Sequence, residues 1–236
     1  MTISNDSRAR VKKVFEPIAL GMGRIGLTPD ALTLIGFAIT VVGAVLVANQ
    51  QWVAGGVVIL FGGVFDMFDG TLARATGKVS QLGAFMDSVF DRAGEVIVYL
   101  GLVAALQEVG VIDGTLFAAA AMGSAVLVSY TRAKSEGLGF TVGSRMASIG
   151  IMPREVRLVI LSAGLIAAGL LGTLREDTSC AGCAGGGAIL PGVWVLFIAL
   201  WIIIIGSTVT TIQRILHVRA AARLDTAPDQ PPSPRS

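Results

Sequence analysis

The chain has 236 residues, of which 53% are hydrophobic and 14% charged, where an average soluble domain is roughly a quarter charged. A net charge of +2 is too small to suggest nucleic acid as a partner, and a mean hydropathy of +0.76 excludes an ordinary soluble enzyme. The composition is that of an all-α polytopic membrane protein, in which the placement of the few charges carries the information.

The first element is residues 8 to 24, RARVKKVFEPIALGMGR. Helical spacing puts Val11, Phe15, Ile18 and Met22 on one face and basic groups on the other, the pattern of an amphipathic helix lying in the membrane interface. Pro17 is expected to bend it. No apolar run with a small-residue cleavage site follows the basic residues directly, so no removable signal peptide is expected. Residues 1–26 are read as a cytoplasmic, interfacial segment, 27–220 as the transmembrane domain and 221–236 as a disordered cytoplasmic tail, since DTAPDQPPSPRS carries four prolines in twelve residues.

Six apolar segments approach the roughly 20 residues needed to cross a bilayer: 31–49, 53–75, 82–107, 114–134, 155–174 and 190–214. Thr28 and Pro29 read as the cap and first position of the first span. Gly36, Gly43, Gly55, Gly56, Gly62 and Gly63 either let helices pack closely or merely relieve crowding. With the amino terminus inside, sixteen of the eighteen lysines and arginines fall on the inner side, Arg92 lies within the third span near that side, and Arg175 stands alone outside. Both termini and the polar ends of spans two and three are therefore expected to be cytoplasmic. CAGC at Cys180 to Cys183 falls in the outer loop, away from the lone His217. It suits a local disulfide or two idle thiols better than zinc, which needs four ligands.

The second and third spans meet in DMFDGTLARATGKVSQLGAFMDSVFDR, Asp66 to Arg92. Asp66 and Asp69 are three apart and Asp87 and Asp91 four apart, so each pair shares a helix face. A tight turn at Gly77 to Gln81 would bring four carboxylates together. Each charged aspartate near the bilayer centre costs about 3 kcal/mol, so a cation must compensate. Carboxylate oxygens suit magnesium, calcium or manganese, and a magnesium or manganese pair would in turn bind phosphate. Gly70, Ala73 and Gly83 keep the helix faces bare beside the acids, and Arg74 offers a fork suited to phosphate. A structural charge network with Arg74, Lys78 and Arg92 is the alternative.

The spacing Asp66-x2-Asp69-Gly70-x2-Ala73-Arg74-x8-Gly83-x3-Asp87-x3-Asp91 resembles, at every fixed position, the signature of the CDP-alcohol phosphotransferase family. The resemblance implies a six-helix, usually homodimeric fold in a bacterial cell membrane, with the active site cytoplasmic. It implies that Asp66, Asp69 and Asp87 hold a pair of divalent ions, Mg2+ or Mn2+, that Asp91 is a further ligand and the general base, and that Gly70, Ala73, Arg74 and Gly83 bind CDP, with Ser80 a weaker candidate. The implied reaction moves a phosphatidyl group from CDP-diacylglycerol to an alcohol and releases CMP. SYTRAKSEGLG, PREVRL and IQRILHV also resemble segments of actinobacterial phosphatidylinositol phosphate synthases. That implies inositol 1-phosphate as acceptor, its phosphate held by Lys134, Arg157 and Arg214, with Arg132 and Arg154 as nearby substitutes. Glycerol 3-phosphate as acceptor, in a phosphatidylglycerophosphate synthase, is the alternative. An ion-coupled transporter is the alternative of another class, and it leaves Gly70, Ala73 and Arg74 without a role.

Overall fold

The computed structural model describes residues 5–140, 149–172 and 191–225; Cys180 to Cys183 and the tail from 226 lie outside the described residues. Among the described residues there are eight helices and no strand. They are α1 (Asn5–Arg24), α2 (Pro29–Ala48), α3 (Trp52–Phe65), α4 (Met67–Thr76), α5 (Gln81–Glu108), α6 (Ile112–Gly137), α7 (Arg154–Leu170) and α8 (Pro191–Asp225).

Local chemistry sets the boundaries near the site. Gly26, at φ +93°, ends α1 in the left-handed conformation that leaves Leu27 N free to donate to Met22 O at 3.2 Å. Thr28 then caps α2, its Oγ1 accepting from Ala31 N at 3.2 Å, with Pro29 as first helical residue. The expected turn between α4 and α5 forms in the same way: Gly77 takes φ +67°, Lys78 N donates to Ala73 O at 2.9 Å, and Ser80 Oγ accepts from Gly83 N at 2.9 Å to start α5.

Three expectations shift. The segment 53–75 is assigned as two helices with Asp66 between them, although Asp66 keeps helical dihedrals and its N–H still donates to Gly62 O at 3.0 Å. α1 runs continuously from Asn5 to Arg24, so Pro17 does not break it. The covered face of that helix is Phe15, Ala19 and Met22, with Ile18 47% exposed, because α1 packs on α4 and the start of α2 through Leu32, Phe68 and Leu72. At the other end, α8 runs on to Asp225, past residue 220.

Six helices close into a ring in the spatial order α2, α3, α7, α8, α6, α5, with α5 returning to α2. The core inside includes Ile59, Tyr99, Leu102, Leu106, Leu165, Leu196 and Leu200, while Val45, Phe61, Leu116, Trp194 and Ile205 point outward and are exposed. Close packing decides most of the glycine question. A Cβ at Gly43 would lie 2.7 Å from Ile59 Cγ1, at Gly55 2.5 Å from Val47 Cγ2, and at Gly56 3.0 Å from Ser162 O. Those at Gly62 and Gly63 would meet Thr40 Oγ1 at 2.8 Å and Leu158 Cδ1 at 2.6 Å. Gly36 is the exception, with ordinary contact at 3.6 Å. Backbones therefore approach where α3 meets α2 and α7, as small residues permit.

Among the described residues, four stretches are long and apolar enough to cross a membrane: Pro29–Ala48, Trp52–Thr76, Ile112–Gly137 and Pro191–Arg223. In α5 the charges Asp87, Asp91, Arg92 and Glu95 break the apolar pattern, and α7 has only 17 residues.

Candidate active site

The α4–α5 hairpin places Asp66 and Asp69 opposite Asp87, and one carboxylate oxygen of each lies within 4.8 Å of the others. Asp69 is the most deeply set at 6% exposed. It accepts a hydrogen bond from Thr33 Oγ1 of α2 at 2.5 Å and another from its neighbour's backbone, Gly70 N. Asp91, one helical turn beyond Asp87, does not enter this three-way cluster but joins it through a cation. Arg154, at the first turn of α7, places one guanidinium nitrogen 2.8 Å from Asp66 Oδ2 and 2.6 Å from Asp91 Oδ1. Among the described residues, no ion pair joins these aspartates to Arg74, Lys78 or Arg92, and Arg92 instead turns back to Ser88 Oγ at 2.6 Å.

A cavity of about 270 Å³ opens on the cluster. Its walls include Asp69, Gly70, Ala73, Arg74, Ser80, Gly83 and Asp87, so all five residues expected at a nucleotide site border one space with two of the acids. Ser80 Oγ is engaged in capping α5. The glycines keep the space open: a Cβ at Gly70 would press on Arg74 Nη1 at 3.2 Å, and one at Gly83 on Asp30 Oδ1 at 3.2 Å. Three hard carboxylates converging on one point, without soft donors, fit a divalent ion of the magnesium or manganese type.

On the other side of Asp91 lies a second recess of about 140 Å³, bordered by Asp91, Arg92, Arg132, Arg154, Arg157 and Arg214 among others. Two of the three cations expected to hold an acceptor phosphate, Arg157 and Arg214, are here; Lys134 is exposed and is not part of its wall. Arg132, two positions earlier on α6, is. Arg157 is 1% exposed and gripped by Glu95 of α5, Nε to Oε1 at 2.7 Å and Nη2 to Oε2 at 2.8 Å, while its Nη1 donates to Met152 O at 3.0 Å. Arg214 of α8 donates to Ile149 O at 3.1 Å and to Val128 O. These two are held in fixed orientations, each with part of the guanidinium committed to protein.

Sequence reasoning missed Thr33 and Glu95. Thr33 sits on α2, 36 residues from the acid it contacts, and no motif marks it. Glu95 lies one turn past Asp91 on the same face of α5, so extending the i, i+4 progression Asp87, Asp91, Glu95 would have found it.

Comparison with known proteins identifies the family. The family model for CDP-alcohol phosphatidyltransferase matches residues 26–212. The phosphatidylinositol phosphate synthase of Streptomyces avermitilis is 36% identical over 90% of this chain and 81% of its own. That of Mycolicibacterium smegmatis is 33% identical over 91% and 88%. A crystal structure of Mycobacterium tuberculosis phosphatidylinositol phosphate synthase with CDP-DAG bound superposes with a TM-score of 0.70 at 27% identity, covering 92% of this chain and 96% of that one. The same enzyme in complex with manganese and citrate gives 0.69 at 26% identity over 91% and 90%. The match of the family model leaves the transporter reading without support, and the chain belongs to the CDP-alcohol phosphatidyltransferase family.

Proposed function

We propose that the protein transfers the phosphatidyl group of CDP-diacylglycerol to inositol 1-phosphate, giving phosphatidylinositol phosphate and CMP. The observation that carries this is the placement of the carboxylates between two recesses: Asp69 and Asp87 border the nucleotide-sized cavity, and Asp91, one turn further on, borders the arginine-lined one. A donor with a diphosphate and an acceptor with its own phosphate would meet across that turn of α5. The relatives named phosphatidylinositol phosphate synthase support the choice of acceptor.

In this reading Asp66, Asp69, Asp87 and Asp91 hold magnesium or manganese, two ions, whose chemistry is to neutralise the diphosphate and the departing CMP. Gly70, Ala73 and Gly83 give the CDP group close approach to backbone, Ser80 stands at its cytosine end, and Arg74 pairs with a phosphate. Asp91 takes the proton of the attacking inositol hydroxyl while its oxygen bonds to the phosphatidyl phosphorus and the bond to the CMP oxygen breaks. The acceptor phosphate is held among Arg132, Arg154, Arg157 and Arg214, with Lys134 at the approach. All six ring helices span the bilayer. α5 is able to do so because its charges face the site, and α7 because its 17 residues are at the short end of the range that crosses a bilayer. α1 lies in the interface, both termini and the site are cytoplasmic, and the protein works as a homodimer.

An acceptor screen tests the proposal. Purified protein with CDP-diacylglycerol and Mg2+ should make labelled phosphatidylinositol phosphate from labelled inositol 1-phosphate. Product from glycerol 3-phosphate alone would reassign it as a phosphatidylglycerophosphate synthase.

A further inference from the structure

Arg154 belongs to two places at once. One of its nitrogens bridges Asp66 and Asp91, while its side chain also forms part of the wall of the arginine-lined recess. Its seat on the carboxylates is incomplete. The contact to Asp91 Oδ1 is close enough for an ion pair yet outside hydrogen-bond geometry, and the buried Arg154 Nε has no hydrogen-bond partner. The ground under it is firm by contrast: the Arg157–Glu95 pair and the Arg157 bond to Met152 O tie the start of α7 to α5, so the Arg154 side chain can turn while its backbone stays.

Asp66 and Asp91 cannot give the same oxygens both to a guanidinium and to a divalent cation without crowding two positive charges within a few ångströms. From this we infer that Arg154 is the resident counter-cation of the carboxylate centre, and that metal binding displaces it into the neighbouring recess, where it completes the anion site. The coupling is reciprocal by linkage: metal strengthens anion binding there, and an anion strengthens metal binding by the same factor. The inference rests on the proposed function only in taking the recess as the acceptor's anion site. It does not depend on which alcohol carries the phosphate.

The test uses full-length protein in detergent, titrated calorimetrically with Mn2+ and with inorganic phosphate, so that its failure is separate from that of the acceptor screen. Wild type should bind phosphate roughly 5-fold or more tightly with saturating Mn2+ than without it, the lower end of ordinary allosteric coupling. Arg154→Gln should bind Mn2+ on the order of tenfold more tightly than wild type, as expected from removing an adjacent guanidinium, and should show the same phosphate affinity with and without Mn2+. Arg154→Lys, which keeps a charge that can serve one partner at a time, should retain part of the coupling. Phosphate affinity in wild type that ignores Mn2+ would overturn the inference. Coupling of wild-type size in Arg154→Gln would overturn it too, since metal and phosphate would then communicate without this side chain.

Discussion

The two recesses on either side of Asp91 are built in opposite ways. The nucleotide-sized cavity comes almost entirely from one stretch, Asp69 to Asp87, folded back by the turn at Gly77, with α2 adding Pro29, Asp30 and Thr33. The arginine-lined recess is assembled from α5, α6, α7 and α8, whose contributors run from Asp91 to Arg214. A local hairpin fixes spacing through covalent geometry, so its chemistry is written in residue intervals. A recess gathered from four helices is fixed only by how the ring closes, and its guanidinium groups need further contacts to hold them in place.

Substitutions can break that contrast, and the largest effects belong to the hairpin. Asp91→Asn removes the proposed base while leaving the side chain's shape, and Mg2+-dependent CMP release in the presence of acceptor should fall by about 10² to 10⁴; release at the wild-type rate would remove Asp91 from that role. Glu95→Ala tests the support of the second recess. It leaves Arg157, 1% exposed, as a buried unpaired charge, at a cost of about 3 to 5 kcal/mol, to be read as a lowered unfolding midpoint in detergent. A variant as stable as wild type would mean that Arg157 finds another partner.

Thr33→Val sharpens the comparison from the hairpin side. It deletes the 2.5 Å hydrogen bond to Asp69 without changing volume much, and by analogy with other outer partners of metal ligands should weaken Mn2+ binding about 10- to 100-fold, measurable by calorimetry. The smallest effects separate Arg132 from Lys134. Arg132→Ala should raise the KM for inositol 1-phosphate roughly tenfold, as expected for losing one charge-assisted contact, with the KM for CDP-diacylglycerol unmoved. Lys134→Ala should change either by no more than about twofold. The reverse ranking would place the acceptor's path along the outer face of α6.

Legibility followed the same division. The hairpin could be read residue by residue, because Asp66, Asp69 and Asp87 meet through one turn whose glycine and cap are visible in the sequence. The cap at Thr28 was legible for the same reason. The span count was less so: apolar length marks α2, α6 and α8 plainly, whereas α5 carries its site charges inside the helix and α7 is short. In the second recess, counting positions left Arg132 and Lys134, or Arg154 and Arg157, interchangeable. The helical rotation fixed by the α6–α8 contacts separates the first pair by putting Arg132 on the wall, while Arg154 and Arg157 both border the recess and differ in their partners, Asp66 and Asp91 for the one and Glu95 for the other. Thr33 was out of reach, since its partner is set by tertiary packing alone.

The packing of α1 on α4 carries a consequence for how such a site is kept in shape. α4 has ten residues and continues α3 through Asp66, so beyond that junction its position depends on what packs against it. One of its faces presents Asp69 to the site, and another presses Phe68 and Leu72 against Ala19, Phe15 and Met22 of α1. Phe15 and Phe68 are in ring contact at 5.0 Å, and a Cβ at Gly23 would strike Leu72 Cδ1 at 2.8 Å. The first helix of the chain thus acts as a splint on the helix that carries the acids. Loosening it, whether by deletion or by a fusion that pulls it away, would blur the geometry of a centre to which none of its described side chains contributes a ligand.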